Sequence, residues 1–190
     1  QIADQVDRSK SLNVEFGIGY LGSFANHRVF DSYAHMHQVY GRESAHMPQG
    51  CDGRNFDAVI PCPYYLEDFT PNEFPSNYCL FVGRMDTTRK GIRTAVEATR
   101  RAGVRLILAG QGVQSVNGKA ITCNDGSTYV GDHLQYHGPV NAEERNRLMR
   151  NAVALLAPTE YIEPFGGVNV EAQLCGTPAI TTDFGAFPET

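Results

Sequence analysis

From residue 79 onward, short apolar runs alternate with stretches of helical periodicity, and this alternation constrains the fold more than any other feature of the chain. "CLFVG" (79–83), "VRLILAG" (104–110), "LQYHG" (134–138), "AVALLAP" (152–158) and "PAITT" (178–182) read as strands. Most are apolar throughout rather than at every second position, as in a parallel strand covered on both faces. Between them, Ile92, Ala95, Val96 and Thr99 recur at spacings of three and four residues, as do Arg145, Leu148, Met149 and Ala152, which marks amphipathic helices. Asn141 is placed to cap the second helix, and Glu144 three residues on completes a capping-box pattern. Strand and helix in turn imply an α/β fold, a Rossmann-like parallel sheet with flanking helices and right-handed crossovers.

One segment breaks the alternation. "VNGKAITCNDGSTYVGDH" (116–133) carries a turn signal at Asn124-Asp125-Gly126 between β-prone residues, which predicts a β-hairpin inserted after the second strand. No further carboxylates follow at ligand spacing, so this is an ordinary turn rather than a calcium loop. Nearer the start, "LNVEFGIGYLG" (12–22) predicts a strand with a glycine-rich exit, residues 28–40 a helix, and "FDAVIP" (56–61) a buried strand. So few elements cannot bury a core of their own, and they read as the tail of a second α/β domain. "PCPYYLEDFTPNEFPSN" (61–77), with four prolines, is the natural linker. The chain opens on Gln and stops at "FPET" without a terminal helix pattern, and is expected to be a segment of something longer.

Composition narrows the function classes. With 42% apolar and 19% charged residues the chain has the profile of a soluble globular protein. A net charge of -5 and no block of consecutive lysines or arginines give no electrostatic footprint for nucleic acid, which is not expected as a partner. The five cysteines (Cys51, Cys62, Cys79, Cys123 and Cys175) are odd in number and form no CxxC pair, which favours free thiols over a disulfide framework or a zinc site. No apolar run reaches bilayer length and "QIADQVDRSK" has no signal-peptide core, so there is no transmembrane segment to place and the expected location is cytoplasmic.

The chemistry centres on "EPFGGVNVE" (163–171). Gly166 and Gly167 permit close approach of a ligand, and a helix opening near Gly167 offers unpaired N–H groups and a positive dipole end to a phosphate. A carboxylate beside a phosphate repels it, so Glu163 and Glu171 suit hydroxyls flanking the anion, a sugar at one end and a ribose at the other. A solvated surface loop and helix is the plainer alternative. Arg84, leaving the first strand of this half, and Lys90, opening the next helix, lie on the same carboxyl edge and suit neutralisation of a leaving diphosphate.

Taken in order, "FVGRM…RKGI…AV", "LILAGQG" and "YHGPV…E…RLMRNAVALLAPTEYIEPFGGVNVEAQLCGTPAITTDFGAFPET" resemble the C-terminal, donor-binding half of retaining glycosyltransferases of family 4, the GT-B group with the E-x7-E motif. "VIPCPYYLEDFTP" is similar to that family's interdomain linker. The likeness runs from about residue 56 to 190. It implies that residues 1–60 are the end of an N-terminal acceptor-binding domain, 61–77 the interdomain linker and 78–190 the nucleotide-sugar donor domain. The resemblance also implies roles. Arg84 and Lys90, with Gly83 beside them, hold the donor diphosphate and stabilise its departure; Glu163 lies near the transferred sugar; Phe165, Gly166, Gly167 and Val168 form the loop whose amides meet sugar and phosphate; Glu171 binds the ribose. Such enzymes move a sugar from a nucleotide diphosphate-sugar to an acceptor hydroxyl with retention, without a metal or other cofactor, by a front-face route in which the leaving phosphate helps deprotonate the acceptor.

The acceptor class stays open among glycan, lipid and protein, as does peripheral membrane contact. The alternatives are another GT-B enzyme, such as a nucleotide-sugar epimerase or a phosphorylase, or a non-catalytic nucleotide-binding module. Three departures stand out: "PCP" replaces the usual "PNG" of the linker, the hairpin is longer, and the family's N-terminal glycine-rich loop is absent. The 190 residues alone are therefore expected to bind nucleotide but transfer sugar poorly. His35 and His37, with His27 and His46 nearby, have the wrong spacing for a zinc helix and read as packing or surface. The resemblance implies that a residue of "GYLGSFANHR" (19–28) is a candidate to face donor or acceptor across the cleft. "GQG" (110–112) lacks a third glycine at Ser115 and a following helix, so it is a poor dinucleotide fingerprint. Tyr64 and Tyr65 read as packing residues rather than a stacking platform.

Overall fold

The computed structural model describes residues 10–17, 25–44 and 56–190. A three-stranded parallel sheet is formed by β1 (Val14–Phe16), β2 (His27–Phe30) and β3 (Asp57–Val59) in that order, with helix α1 (Tyr33–Ser44) between β2 and β3. The helix expected over 28–40 is corrected here. Residues 27–30 are a strand with Arg28 and Phe30 buried, and the helix starts only after Ser32, whose Oγ accepts from the His35 amide at 3.0 Å. A serine accepting from the third amide of a helix is a start signal that the apolar spacing of 28–40 hides. Of the strand expected over 12–22, Val14–Phe16 is a strand and residues 18–24 lie outside the described residues.

After an extended stretch interrupted by one 3-10 turn at Leu66–Asp68 come β4 (Cys79–Val82), α2 (Ile92–Ala102), β5 (Leu106–Ala109), β6 (Val113–Asn117), β7 (Ala120–Cys123), β8 (Thr128–Val130), β9 (Leu134–Gly138), α3 (Ala142–Asn151), β10 (Ala154–Ala157), α4 (Gly167–Leu174) and β11 (Ala179–Thr181). Five strands make one parallel sheet in the order β11-β10-β4-β5-β9. The three inner strands, β4, β5 and β10, are apolar throughout because both faces are covered, whereas the edge strands β9 and β11 are only partly buried. Leu80, Ile107 and Leu155 face Leu148, Met149, Ala172 and Cys175 of the α3 and α4 layer. Phe81, Leu106, Leu108 and Leu156 face Ile92 and Ala95 of α2, and Ile121, Cys123 and Tyr129 of the inserted strands.

The insertion is a three-stranded antiparallel sheet, β6-β7-β8, rather than a single hairpin. Its second turn is the one predicted at 124–126. Its first lies at Gly118-Lys119 and takes its glycine from the pair Asn117-Gly118, itself a hairpin signal. Half of the capping box at α3 forms: Asn141 Oδ1 accepts from Glu144 N at 2.8 Å. The reciprocal half does not, because the Glu144 carboxylate is taken by Arg147 and by His137 at 2.7 Å. The two sheets meet at the start of α1, where Ser32 Oγ donates to Pro164 O at 2.6 Å and the Glu189 carboxylate accepts from the Tyr33 and Ala34 amides, each at 2.8 Å. Among the described cysteines, Cys62, Cys79, Cys123 and Cys175 are free thiols; Cys51 lies outside the described residues.

Candidate functional site

Read in chain order, the five parallel strands run outward from β4 to β9 on one side and through β10 to β11 on the other, so the strand order reverses between β4 and β10. In open α/β sheets the crevice outside the carboxyl ends of such a pair is where ligands bind. Both loops that carry the predicted residues leave from this point. Gly83 and Arg84 follow β4, and a 3-10 turn at Thr88–Lys90 precedes α2; Pro158 to Gly166 follow β10. The two loops are bonded to each other, with Glu160 N donating to Arg89 O at 2.8 Å. Gly91 has φ 72°, and a Cβ there would overlap the Pro158 carbonyl, so the β4 loop approaches the β10 loop more closely than any side chain allows.

That approach brings Lys90 to Glu163. The ammonium lies 3.0 Å from Glu163 Oε2. Tyr161 completes the group: its hydroxyl donates to the same Oε2 at 2.5 Å and accepts from Lys90 Nζ at 2.6 Å. Burial opposes the charge on Lys90, but the hydrogen bonds and attraction from Tyr161 and Glu163 outweigh it and raise the ammonium above the usual lysine range. Glu163 is fixed from behind by a parallel bridge to Gly185 and by Ala186 N donating to Glu163 O at 2.9 Å. Lys90 was expected to open a helix; it ends the 3-10 turn instead, with Gly91 between it and α2.

Beyond Glu163 the chain enters α4 through Gly166, at φ 83°, with no side-chain cap on the first turn. The Asn169 amide donates to Gly166 O at 2.8 Å, and no side chain caps the Gly167 and Val168 amides ahead of it, the arrangement that suits an anion. Phe165 stacks on Tyr64 with ring centroids 6.3 Å apart and planes 13° apart, and the Tyr64 hydroxyl stands over the Cα of Gly167. The linker tyrosine therefore packs on the candidate loop itself. Burial pushes its phenol up to about 12. Val168 packs its side chain into the core and offers the site only its backbone.

Glu171, one turn into α4, does not stand alone either. Arg145 of α3 donates through Nε to Oε2 at 2.5 Å and through Nη2 to Oε1 at 3.1 Å. The two motif glutamates thus each carry a cation from another element, Lys90 on Glu163 and Arg145 on Glu171, which removes most of their repulsion toward a nearby anion. Sequence reasoning placed Arg145 on the inner stripe of a helix and missed this role, since the two partners are 26 residues apart. Arg84 is not part of the Lys90 cluster. Its side chain is 61% exposed and bonded to Asp86 at 3.0 and 2.7 Å. Gly83, Arg84, Gly110, Gln111, Val140 and Arg145 line a cavity of about 250 Å³ beside it. Of the "GQG" glycines, none opens a helix; β6 follows directly.

The histidines sit elsewhere. His35 is buried with its ring edge-on to Phe30, and His27 packs on Phe56. His46 and most of the 19–28 segment lie outside the described residues. Arg28 is fully buried and paired with Asp57 and Glu43.

The sequence profile of glycosyl transferases group 1 matches residues 67–190, a span that holds both motif glutamates and both cations. The chain belongs to this family. Among its relatives is a phosphatidyl-myo-inositol mannosyltransferase of Mycobacterium tuberculosis, 28% identical over 156 residues, which are 79% of this chain and 38% of the relative. A D-inositol 3-phosphate glycosyltransferase of Mycobacterium marinum is 34% identical over 113 residues, 57% of this chain and 23% of that protein. The chain therefore spans well under half the length of these relatives. In three dimensions it is similar to a sucrose-phosphate synthase from Thermosynechococcus elongatus, with a TM-score of 0.63 and 26% identity over 85% of this chain and 42% of the other. The fold is that of GT-B glycosyltransferases, an α/β architecture with a parallel sheet and flanking helices.

Proposed function

We propose that the chain carries the donor site of a retaining, metal-independent glycosyltransferase, which moves a sugar from a nucleotide diphosphate-sugar to an acceptor hydroxyl. The observation that carries the reading is the Lys90–Glu163 pair at the strand-order reversal, beside the uncapped first turn of α4. In this reading the diphosphate lies against the α4 amides and Lys90, with Arg84 turning from Asp86 toward it. Glu163 accepts from a hydroxyl of the transferred sugar, and Glu171, held by Arg145, accepts from the ribose diol. The bond between the anomeric carbon and the diphosphate oxygen breaks while the acceptor oxygen bonds to the same face. The acceptor proton passes to the departing phosphate. Lys90, Arg84 and the helix amides offset the charge that develops there, the role a cation fills in other sites.

The same reading assigns residues 1–60 to an acceptor-binding domain, 61–77 to the linker and 78–190 to the donor domain, in a cytoplasmic enzyme that takes a glycan, lipid or protein acceptor. The family membership and the mannosyl- and glycosyltransferase names of the relatives support it. Among the described residues no helix is long and apolar enough to cross a membrane. The test is transfer by the full-length protein from UDP-, GDP- and ADP-sugars with chelator present, followed by NMR of the product's anomeric coupling. Retention without added metal is expected. An inverted product would overturn the mechanism, and loss of turnover on chelation would overturn metal independence.

A further inference from the structure

We propose that Tyr161 is a positioning residue of this site: its hydroxyl keeps Glu163 partnered while Lys90 is handed over to the diphosphate. The inference rests on the donor-site reading above and assigns a role to a residue outside the motif. The geometry is a closed triangle. Tyr161 OH, Lys90 Nζ and Glu163 Oε2 lie 2.5, 2.6 and 3.0 Å from one another, and the phenol is both donor to the carboxylate and acceptor from the ammonium. Lys90 has to serve two anions in turn, Glu163 in the free protein and the diphosphate in the complex. A carboxylate with 12% of its side chain exposed cannot rely on water to replace a departing ammonium, and a buried charge that loses its partner is costly. A neutral phenol on the same oxygen stays behind when Lys90 leaves.

The setting fits that task. Tyr161 is held independently of its hydroxyl: the Arg89 guanidinium lies 5.2 Å from the ring centroid, and the neighbouring Glu160 amide is bonded to Arg89 O. The phenol therefore stays in place whichever anion Lys90 meets. Burial, with the nearby Glu163 carboxylate, raises its pKa above the ordinary tyrosine value, so the proton it donates is present at neutral pH. Lys90 Nζ both bonds the hydroxyl and lies over the ring, 4.9 Å from its centroid, so replacing the phenol by a phenyl ring removes the first contact and keeps the second.

The test separates this role from packing. Tyr161→Phe removes one oxygen and keeps the ring under Arg89. In the full-length protein, UDP, GDP and ADP are titrated calorimetrically to find the nucleotide that binds, and the corresponding nucleoside monophosphate, which has no second phosphate to draw Lys90 away, is titrated alongside. Tyr161→Phe is expected to weaken the diphosphate about tenfold, the size of one hydrogen bond to a charged group, and to change the monophosphate by less than about threefold. In a Lys90→Ala background the effect on the diphosphate should disappear, since no ammonium then has to be released. Equal weakening of both nucleotides, or a full effect without Lys90, would mean that Tyr161 only packs and would overturn the proposal. An unchanged diphosphate affinity would overturn it as well, while leaving the donor site intact. No nucleotide binding by the wild-type protein would overturn the donor-site reading, and this inference with it.

Discussion

Removing Arg145 should cost more than a surface ion pair and should act on both stability and binding. The guanidinium and the Glu171 carboxylate form a two-point contact, and their side chains are 28% and 15% exposed. Charge centres about 4 Å apart attract by roughly 4 kcal/mol at an effective dielectric near 20. Desolvation and the ordering of two long side chains offset part of that. Truncating one partner costs about 0.2–1 kcal/mol in exposed pairs and about 3–5 in buried ones, so this half-buried pair should lie near 2 kcal/mol. Urea unfolding of the wild type, Arg145→Ala, Glu171→Gln and the double variant gives the coupling directly, expected at about 1.5 kcal/mol or more. Arg145→Ala should also weaken a bound nucleoside diphosphate about tenfold, because Glu171 then stands uncompensated near it. In the Glu171→Gln background the loss should shrink to a few-fold. A coupling below about 0.5 kcal/mol, with an equal loss of affinity in both backgrounds, would refute the argument that Arg145 acts through Glu171.

Three further outcomes follow from the same geometry. Lys90→Ala in the full-length enzyme should lower kcat/KM about a hundredfold, the cost of losing one electrostatic donor to a leaving group, and a loss under tenfold in steady-state assays would count against its role. Gly91→Ala should destabilise by about 2 kcal/mol or more in thermal melts, since φ 72° and the Pro158 carbonyl both oppose a side chain there. Stability should fall as the pH rises above about 10. The Tyr64 phenol, held near 12 when folded, ionises at about 10 once unfolded, so the unfolded chain has lost a proton that the folded chain keeps. Lys90 adds to this in the same direction: its folded pKa is raised, so its contribution is complete below the unfolded lysine value and is lost as pH climbs through the folded one. Tyr64→Phe should flatten the alkaline limb of a pH–melting curve, and an unchanged limb would refute the assignment.

The sheet was legible because its physics is local. Strands such as Leu106–Ala109 and Ala154–Ala157 are apolar on both faces since helices and inserted strands cover both, and a run of four such residues betrays this without any partner in view. The glutamates, Lys90 and the glycine pair were legible through motif spacing. What the sequence hid are pairings across elements. Arg145 meets Glu171 only because α3 and α4 share one face of the sheet, and its place on an amphipathic stripe points equally to packing. Tyr64 reads as a packing residue, and Tyr161 carries no signal of its own, until the loops they join are brought together. The late start of α1 was hidden because Val29, Phe30, Tyr33, Met36, Val39 and Tyr40 keep helical three- and four-residue spacing across the strand–helix junction, and only the Ser32 cap marks the break.

The central claim is that Glu163 to Glu171, with Lys90, form a donor site. Its most direct test is calorimetric titration of this chain with UDP, GDP and ADP and their sugar conjugates, with Glu171→Ala as control. Saturable binding of one nucleotide, weakened at least tenfold by the substitution, is the predicted result. Absence of binding by the folded chain, repeated with the full-length protein, would contradict it.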